Sequence, residues 1–323
     1  MLNPVHLRTL GVVLAAGSFA DAARRLGYTP SAVSQQISSL ERQLRLTLFE
    51  REAHAIRPTA AALAVAERAV PALGALRTLD EDLRLLADGS IGRLRIGSFP
   101  TASERLLPAA LSTLRRQRPH VEVELDETEP QVSVRLLEAG EIDVALVYTY
   151  GTVTPRWARG HRLEPVLQED LLVISRPERP GTPADVPPPL DGLEDFSNAT
   201  WIATREDTQG AATLERLCRD GGFDPHVSCR SNNYGVLQGL VASGLGVALV
   251  PALGLDETPA VVARSVADAR ARRQVSVVAA PSVPADLAAV LITALRKAAS
   301  RVTGEFVRLI PSDNGVSRGP RTI

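Results

Sequence analysis

The sequence predicts an all-α N-terminal unit, one long helix, and then a two-part α/β body. Three patterns carry this reading. Residues 1–58 hold three short apolar-periodic segments separated by capping residues. Residues 59–88 form one continuous helical pattern. From residue 91, short apolar strands alternate with helices, the order that builds parallel sheets.

The first helix runs from Val5 to Ala16 and is closed by Gly17. Ser18 suits the N-cap of the next helix, because its hydroxyl can accept an orphan backbone N–H. Gly27 sits where that helix must stop. Thr29-Pro30 is a second start: an N-cap, then a proline whose missing N–H costs nothing at the first helical position. Val33, Ile37, Leu40 and Leu44 then recur at spacings of four, three and four, which places them on one buried stripe. Ser31, Ser34, Gln35, Ser38 and Arg42 fall on the other face. Short hydrogen-bonding side chains of this kind let a helix enter a DNA major groove and read base edges.

A helical hairpin with a merely solvated face is the alternative. Context favours the first reading. The pair follows an apolar helix and precedes a short basic segment, Leu48-Phe49-Glu50-Arg51 to Ile56-Arg57. That is the order of a winged helix-turn-helix, whose basic residues touch phosphate. Arg51 and Arg57 would flank the wing, with Arg24 and Arg25 on the preceding helix. Residues 1–60 carry seven Arg and four acids, although the whole chain has a formal net charge of −1. The basic excess therefore lies with the helix-turn-helix.

Residues 1–88 resemble the DNA-binding half of a LysR-type transcriptional regulator. The match runs through Ala15-Ala16-Gly17-Ser18-Phe19, Ala22-Ala23 and Leu26. It continues through Ala32-Val33-Ser34-Gln35-Gln36-Ile37, Leu40-Glu41, Leu44 and Leu48-Phe49-Glu50-Arg51. The chain departs from the family at Arg45 and Ala62, where Gly is usual, and at His54, where a basic residue is usual. The resemblance implies binding to double-stranded DNA by residues 1–58 and dimerisation through a linker helix at 59–90. Leu76, Leu79, Leu83 and Leu86 offer that helix a short apolar seam. Burial against the chain's own body is the alternative. Pro71 must kink or interrupt the helix. The family's common assembly is a tetramer.

In the body, strands are expected at Gly92–Gly97, Val121–Leu125 and Ile142–Val147, with helices near Thr101–Gln117 and Gln131–Ala139. A second unit starts near Asp170 with Leu171–Ser175. It continues through strand Trp201–Ala203, helix 208–220, strand Val227–Arg230, helix 233–243 and strand Val247–Val250. Residues 181–193 read as a Pro/Gly-rich surface loop. Gln274–Ala279 is a further strand, followed by helix Ala285–Ala299. Two α/β units joined by two crossing segments resemble a periplasmic-binding-protein-like effector domain. Its first subdomain would comprise residues 91–163 and 266–303, and its second residues 164–265. Residues 304–323 form a tail, disordered at its end.

Ligands of open α/β sheets bind outside the carboxyl ends of strands, where helix N-termini point inward. Ser98, Thr101, Thr128 and Tyr148 are expected on one wall of a cleft, and Thr204, Arg205 and Asn232 on the other. Hydroxyls, amides and one guanidinium suit a small anion such as a carboxylate. Helix capping is the alternative role for Ser98, Thr204 and Asn232.

Other classes fit less well. No apolar run approaches the ~18 residues that span a membrane. No signal-peptide pattern opens the chain, so a cytoplasmic location is expected, and a secreted solute-binding receptor would not carry a helix-turn-helix. Cys218 and Cys229 match no metal or redox spacing and read as reduced structural thiols. His6, His54, His120, His161 and His226 are scattered, and no nucleophile elbow or phosphate-cradling loop appears, so neither an enzyme nor a cofactor is expected.

Overall fold

The computed structural model describes residues 2–51, 56–87, 92–151, 161–177, 188–256 and 260–310. Contacts divide the chain into two compact units, residues 1–92 with 135–142, and residues 93–134 with 143–323.

The N-terminal unit contains α1 (Pro4–Ala16), α2 (Phe19–Leu26) and α3 (Pro30–Leu44). A two-stranded hairpin, β1 (Phe49–Arg51) with β2 (Ile56–Pro58), and the long α4 (Ala60–Ala87) follow. The helix boundaries obey local chemistry. Ser18 Oγ accepts the Asp21 N–H at 3.0 Å, and Thr29 Oγ1 accepts the Ala32 N–H at 3.2 Å. Gly17 and Gly27 end α1 and α2 in the left-handed conformation that only glycine adopts freely. Arg45 ends α3 in the same conformation at φ 55°, which explains why glycine is usual there. Thr59 caps α4 through the Ala62 N–H and hydroxyl contacts back to the Thr47 and Leu48 carbonyls. The core joins Leu10 and Val13 of α1 to Val33, Ile37 and Leu40 of α3, with Leu48 and Ala62 closing it. Leu44, the last residue of the expected stripe, is only partly buried. Helix α4 runs through Pro71 without interruption.

The second unit is built on β3 (Arg93–Ser98), β4 (Glu122–Glu127) and β5 (Val144–Tyr150), all parallel. The long β6 (Glu164–Ser175) follows, and β7 (Thr200–Ala203), β8 (His226–Arg230) and β9 (Val247–Pro251) form a second parallel set. Strands β10 (Val262–Ser265) and β11 (Arg272–Ala279) return the chain. The sheet order is β4-β3-β5-β11-β6-β9-β7-β8. Helices α5 (Pro100–Arg105), α6 (Leu107–Gln117), α7 (Pro130–Glu138), α8 (Gln209–Asp220), α9 (Tyr234–Ala242) and α10 (Ala285–Ala299) connect or cover these strands.

Several expectations change. The helix expected at Thr101–Gln117 is split at Leu106, because Pro108 lacks the N–H that a continuous helix would need there. The sheet is mixed, since β11 runs antiparallel to both β5 and β6. Strand β6 serves both halves: residues 164–170 pair with β11, and residues 171–174 pair with β9. Val307–Leu309 of the tail forms β12, a further partner of β6. Residues 181–187 of the expected loop, the last three residues (88–90) of the expected linker, His54 and residues 311–323 lie outside the described residues. Gly246 opens β9 because a Cβ there would collide with the Thr200 carbonyl oxygen.

Candidate functional site

In the N-terminal unit, α3 presents Ser31, Gln35 and Arg42 exposed, with Ser34 and Ser38 half-buried on the same side. Polar contacts from two of its residues, Gln36 and Glu41, help hold the helix in place besides its apolar stripe. The buried Thr9 hydroxyl of α1 lies 2.6 Å from Gln36 Oε1. Glu41 Oε1 accepts the backbone N–H of Leu48 at 2.8 Å and of Phe49 at 3.3 Å. Glu41 thus ties the start of the hairpin to the end of α3. A carboxylate bonded to backbone N–H groups is among the stronger hydrogen-bond acceptors. Sequence reasoning assigned neither Gln36 nor Glu41 this role, because a tether is visible only once the chain has returned on itself.

Arg24 and Arg25 are exposed on α2, and Arg24 is paired with Asp21. The Ser18 hydroxyl and the Arg24 guanidinium hold the Asp21 carboxyl below its ordinary value. Arg57 is exposed on β2. Arg51 ends β1.

In the second unit, Thr101, Tyr148, Thr204 and Asn232 converge on a small cavity of about 20 Å³, room for one water. It adjoins a larger cavity of about 310 Å³, lined from α5 and β4 by Thr101, Glu104 and Glu127. Asn232, Tyr234 and Asp256 line its other side. That volume is at the lower end of small-molecule sites. Three expected residues lie elsewhere. Ser98 is fully buried beneath the site. Thr128 shares a hydrogen bond of 2.6 Å with Ser133. Arg205 is exposed and faces Asp207, and its backbone N–H is held by Asn232 Oδ1 at 3.0 Å. Thr204 lines the cavity while its hydroxyl bonds Thr208, the cap of α8. The capping role weighed for Asn232 belongs to Asn233, which caps α9.

A buried cluster behind the cavity was absent from the sequence reading. Arg273, on β11, is 1% exposed. Its Nε donates to Glu169 Oε1 at 2.7 Å, and its Nη2 donates to Thr101 Oγ1 at 2.7 Å. Glu169 Oε2 accepts the Leu253 N–H at 2.6 Å. The guanidinium carbon lies 5.2 Å from the Phe99 ring centre and 5.1 Å from that of Tyr148. Tyr148 donates its hydroxyl to Glu129. Burial pushes the Glu169 carboxyl up, and Arg273 offsets part of that shift. Burial also opposes the Arg273 charge, but Glu169 and three tyrosines outweigh it, so the guanidinium stays protonated. Desolvation drives the Tyr148, Tyr150 and Tyr234 hydroxyls above their ordinary value. Nothing local distinguishes Arg273 within the run Arg270-Ala271-Arg272-Arg273. Only strand pairing selects which of these arginines is buried.

Two family models match the chain. Residues 4–63 match the bacterial regulatory helix-turn-helix protein, LysR family, and residues 87–300 match the LysR substrate binding domain. The chain is similar to the Small neutral protease regulatory protein of Streptomyces coelicolor, 32% identical over 242 residues, 74% of this chain and 70% of that one. It is similar to the HTH-type transcriptional regulator YcgK of Bacillus subtilis, 28% identical over 281 residues, 80% of this chain and 83% of that one. Among solved structures, full-length CbnR complexed with its target DNA shares the fold at a TM-score of 0.57. The identity is 23%, covering 92% of this chain and 100% of that chain.

Proposed function

This chain belongs to the LysR family of DNA-binding transcriptional regulators, and we propose from its geometry how it reads DNA and where its effector sits. Helix α3 is the recognition helix. Ser31, Ser34, Gln35, Ser38 and Arg42 face the major groove, while Arg24, Arg25, Arg51 and Arg57 contact phosphate. The exposed polar face of a helix locked from behind by the Thr9–Gln36 and Glu41 contacts carries this reading. A glutamine can pair bidentately with adenine, and a good pair discriminates by about 1–3 kcal/mol. Gel shifts on the chain's own upstream region test it. Gln35→Ala should weaken specific binding and leave random-duplex binding nearly unchanged. Equal losses on both duplexes would overturn the assignment.

The effector is a small molecule bound between the two α/β subdomains, at residues 91–163 with 266–303 and at residues 164–265. Thr101, Tyr148, Thr204 and Asn232 contact it. The 310 Å³ cavity, lined by Thr101 and Asn232 from its two sides, and the small adjoining cavity that Tyr148 and Thr204 line support this. A ligand touching both walls favours one arrangement of the subdomains, and it can act on DNA only through a difference in affinity between states. A ten-fold difference supplies about 1.4 kcal/mol. Thr101→Val should weaken effector binding while leaving ligand-free DNA binding intact. Wild-type effector affinity by calorimetry would refute the placement.

Helix α4 pairs two subunits, and pairing between effector domains extends the dimer to a tetramer. Leu63, Leu76 and Leu79 are exposed on α4, apolar surface that a lone subunit leaves in water. Two recognition helices would then meet half-sites about one turn, ~34 Å, or a multiple apart. Among the described residues no helix is long and apolar enough to cross a membrane. The protein acts in the cytoplasm, where its DNA is.

A further inference from the structure

The lining of the cleft carries information about charge that the positions of hydroxyls and amides do not. Among the described residues, those lining the two adjoining cavities bring four carboxylates, Glu104, Glu127, Glu129 and Asp256, and one guanidinium, Arg273. That guanidinium is already neutralised by Glu169, which is itself fully buried. Arg105 reaches Asp256, and Tyr148 donates to Glu129. Glu104 and Glu127 stand exposed at the 310 Å³ cavity.

We infer that the effector is a small cation carrying a protonated amine, which replaces the carboxylate suggested by sequence alone. This inference rests on the cleft being the effector site. A carboxylate entering the cavity would shed water beside Glu104, Glu127 and Glu129, with Asp256 already paired to Arg105, and the one cation lining the cavities among the described residues is committed to Glu169. Like charges brought together in a partly desolvated site repel strongly. An ammonium meets the opposite situation. It would pair with Glu104 or Glu127 and donate to the Thr101 hydroxyl and the Asn232 amide oxygen. Hydroxyls and amides accept from a cation as readily as they donate to an anion, so they do not decide the sign. Tyr234 lines the same cavity, and aromatic side chains attract cations. Helix α9 starts here and its dipole favours anions, but the Asn233 side chain already accepts the Val236 N–H at 3.1 Å. Sequence alone pointed to an anion because Arg205 was counted as the cleft's guanidinium; it lies outside, beside Asp207.

The test is calorimetry on the full chain with two probes of matched length, the four-carbon diamine putrescine and the four-carbon dicarboxylate succinate. Wild type should bind putrescine and not succinate. Replacing both Glu104→Gln and Glu127→Gln should weaken putrescine by at least about five-fold, the upper end for one exposed charge pair. Asn232→Trp, which fills the cavity, should abolish binding. Tighter binding of succinate, lost in Asn232→Trp, would overturn the charge class and leave the cleft standing. Putrescine binding indifferent to Asn232→Trp would place the site elsewhere and overturn both readings. Binding of neither probe, or a putrescine affinity unchanged by the double Gln variant, would also overturn the inference. Circular dichroism of each variant confirms that it is folded.

Discussion

Arg273→Met should be far more damaging than the joint change Arg273→Met with Glu169→Leu. The two side chains are 1% and 0% exposed, with nitrogen and oxygen 2.7 Å apart. At an effective dielectric constant near 20, that separation corresponds to a gross attraction of about 6 kcal/mol. Removing both charges from water costs several kcal/mol each, so the intact pair contributes little net stability. Breaking it leaves one buried charge without an ionic partner: Glu169 keeps the Leu253 N–H, and Arg273 keeps the Thr101 hydroxyl and the faces of Phe99 and Tyr148. Each single change should therefore cost about 3–5 kcal/mol, a large share of an ordinary total stability of about 5–15 kcal/mol. The double variant should lie within about 2 kcal/mol of wild type, because two apolar side chains fill similar volume without an orphan charge. Urea unfolding at fixed pH measures all four corners of the cycle. A double variant that costs the sum of the singles would refute the reasoning, since it would mean that the pair is not coupled. The single Arg273→Met also has a pH signature. Without its partner, Glu169 binds a proton more tightly folded than unfolded. Its ordinary value is 4.5, so stability is retained below that and lost as pH rises through the raised folded value. The defect should shrink on acidification toward pH 4.5.

Three further outcomes are expected. Arg45→Gly should stabilise the N-terminal unit by about 1 kcal/mol, because it relieves a side chain held at φ 55°; denaturation showing a loss would mean that the arginine makes a compensating contact. Leu79→Asp with Leu83→Asp should give poorly dimerising protein that binds DNA weakly, and a wild type that sediments as a monomer at micromolar concentration would rule out pairing through α4. Burial pushes the Cys218 thiol from 9.0 up to about 12, so stability should be undiminished below pH 9 and fall as pH rises toward 12. The same thiol should resist alkylation until the protein unfolds; rapid labelling of native Cys218 would contradict its burial.

Much of the N-terminal unit was legible in the residues. Ser18, Gly27, Thr29 and Pro30 act within a few positions of themselves, so their consequences appear in any short window of sequence. The stripe from Val33 to Leu40 is equally local, because helical periodicity alone decides which face is buried. Even Arg45, a departure from the expected glycine, is local: it adopts the left-handed angle that the position requires.

The cavity of the second unit was legible only as a location. Strand ends and helix starts show where a cleft forms, and Thr101, Tyr148, Thr204 and Asn232 do line it. Its chemistry came from pairings between distant residues. Glu169 and Arg273 are 104 positions apart, and Thr101 and Arg273 are 172 apart. No periodicity relates such residues. The register of β11 against β6 buries Arg273 and leaves Arg272, its neighbour, about half exposed beside Asp170. A shift of one residue along a strand would exchange the two faces, and with them the charge behind the cavity. The order of elements, the caps and the apolar stripes follow from neighbours along the chain, and so can be read from residues alone. Which charged groups face the cleft depends on strand register between segments far apart in the chain, and so emerges only when those segments pair.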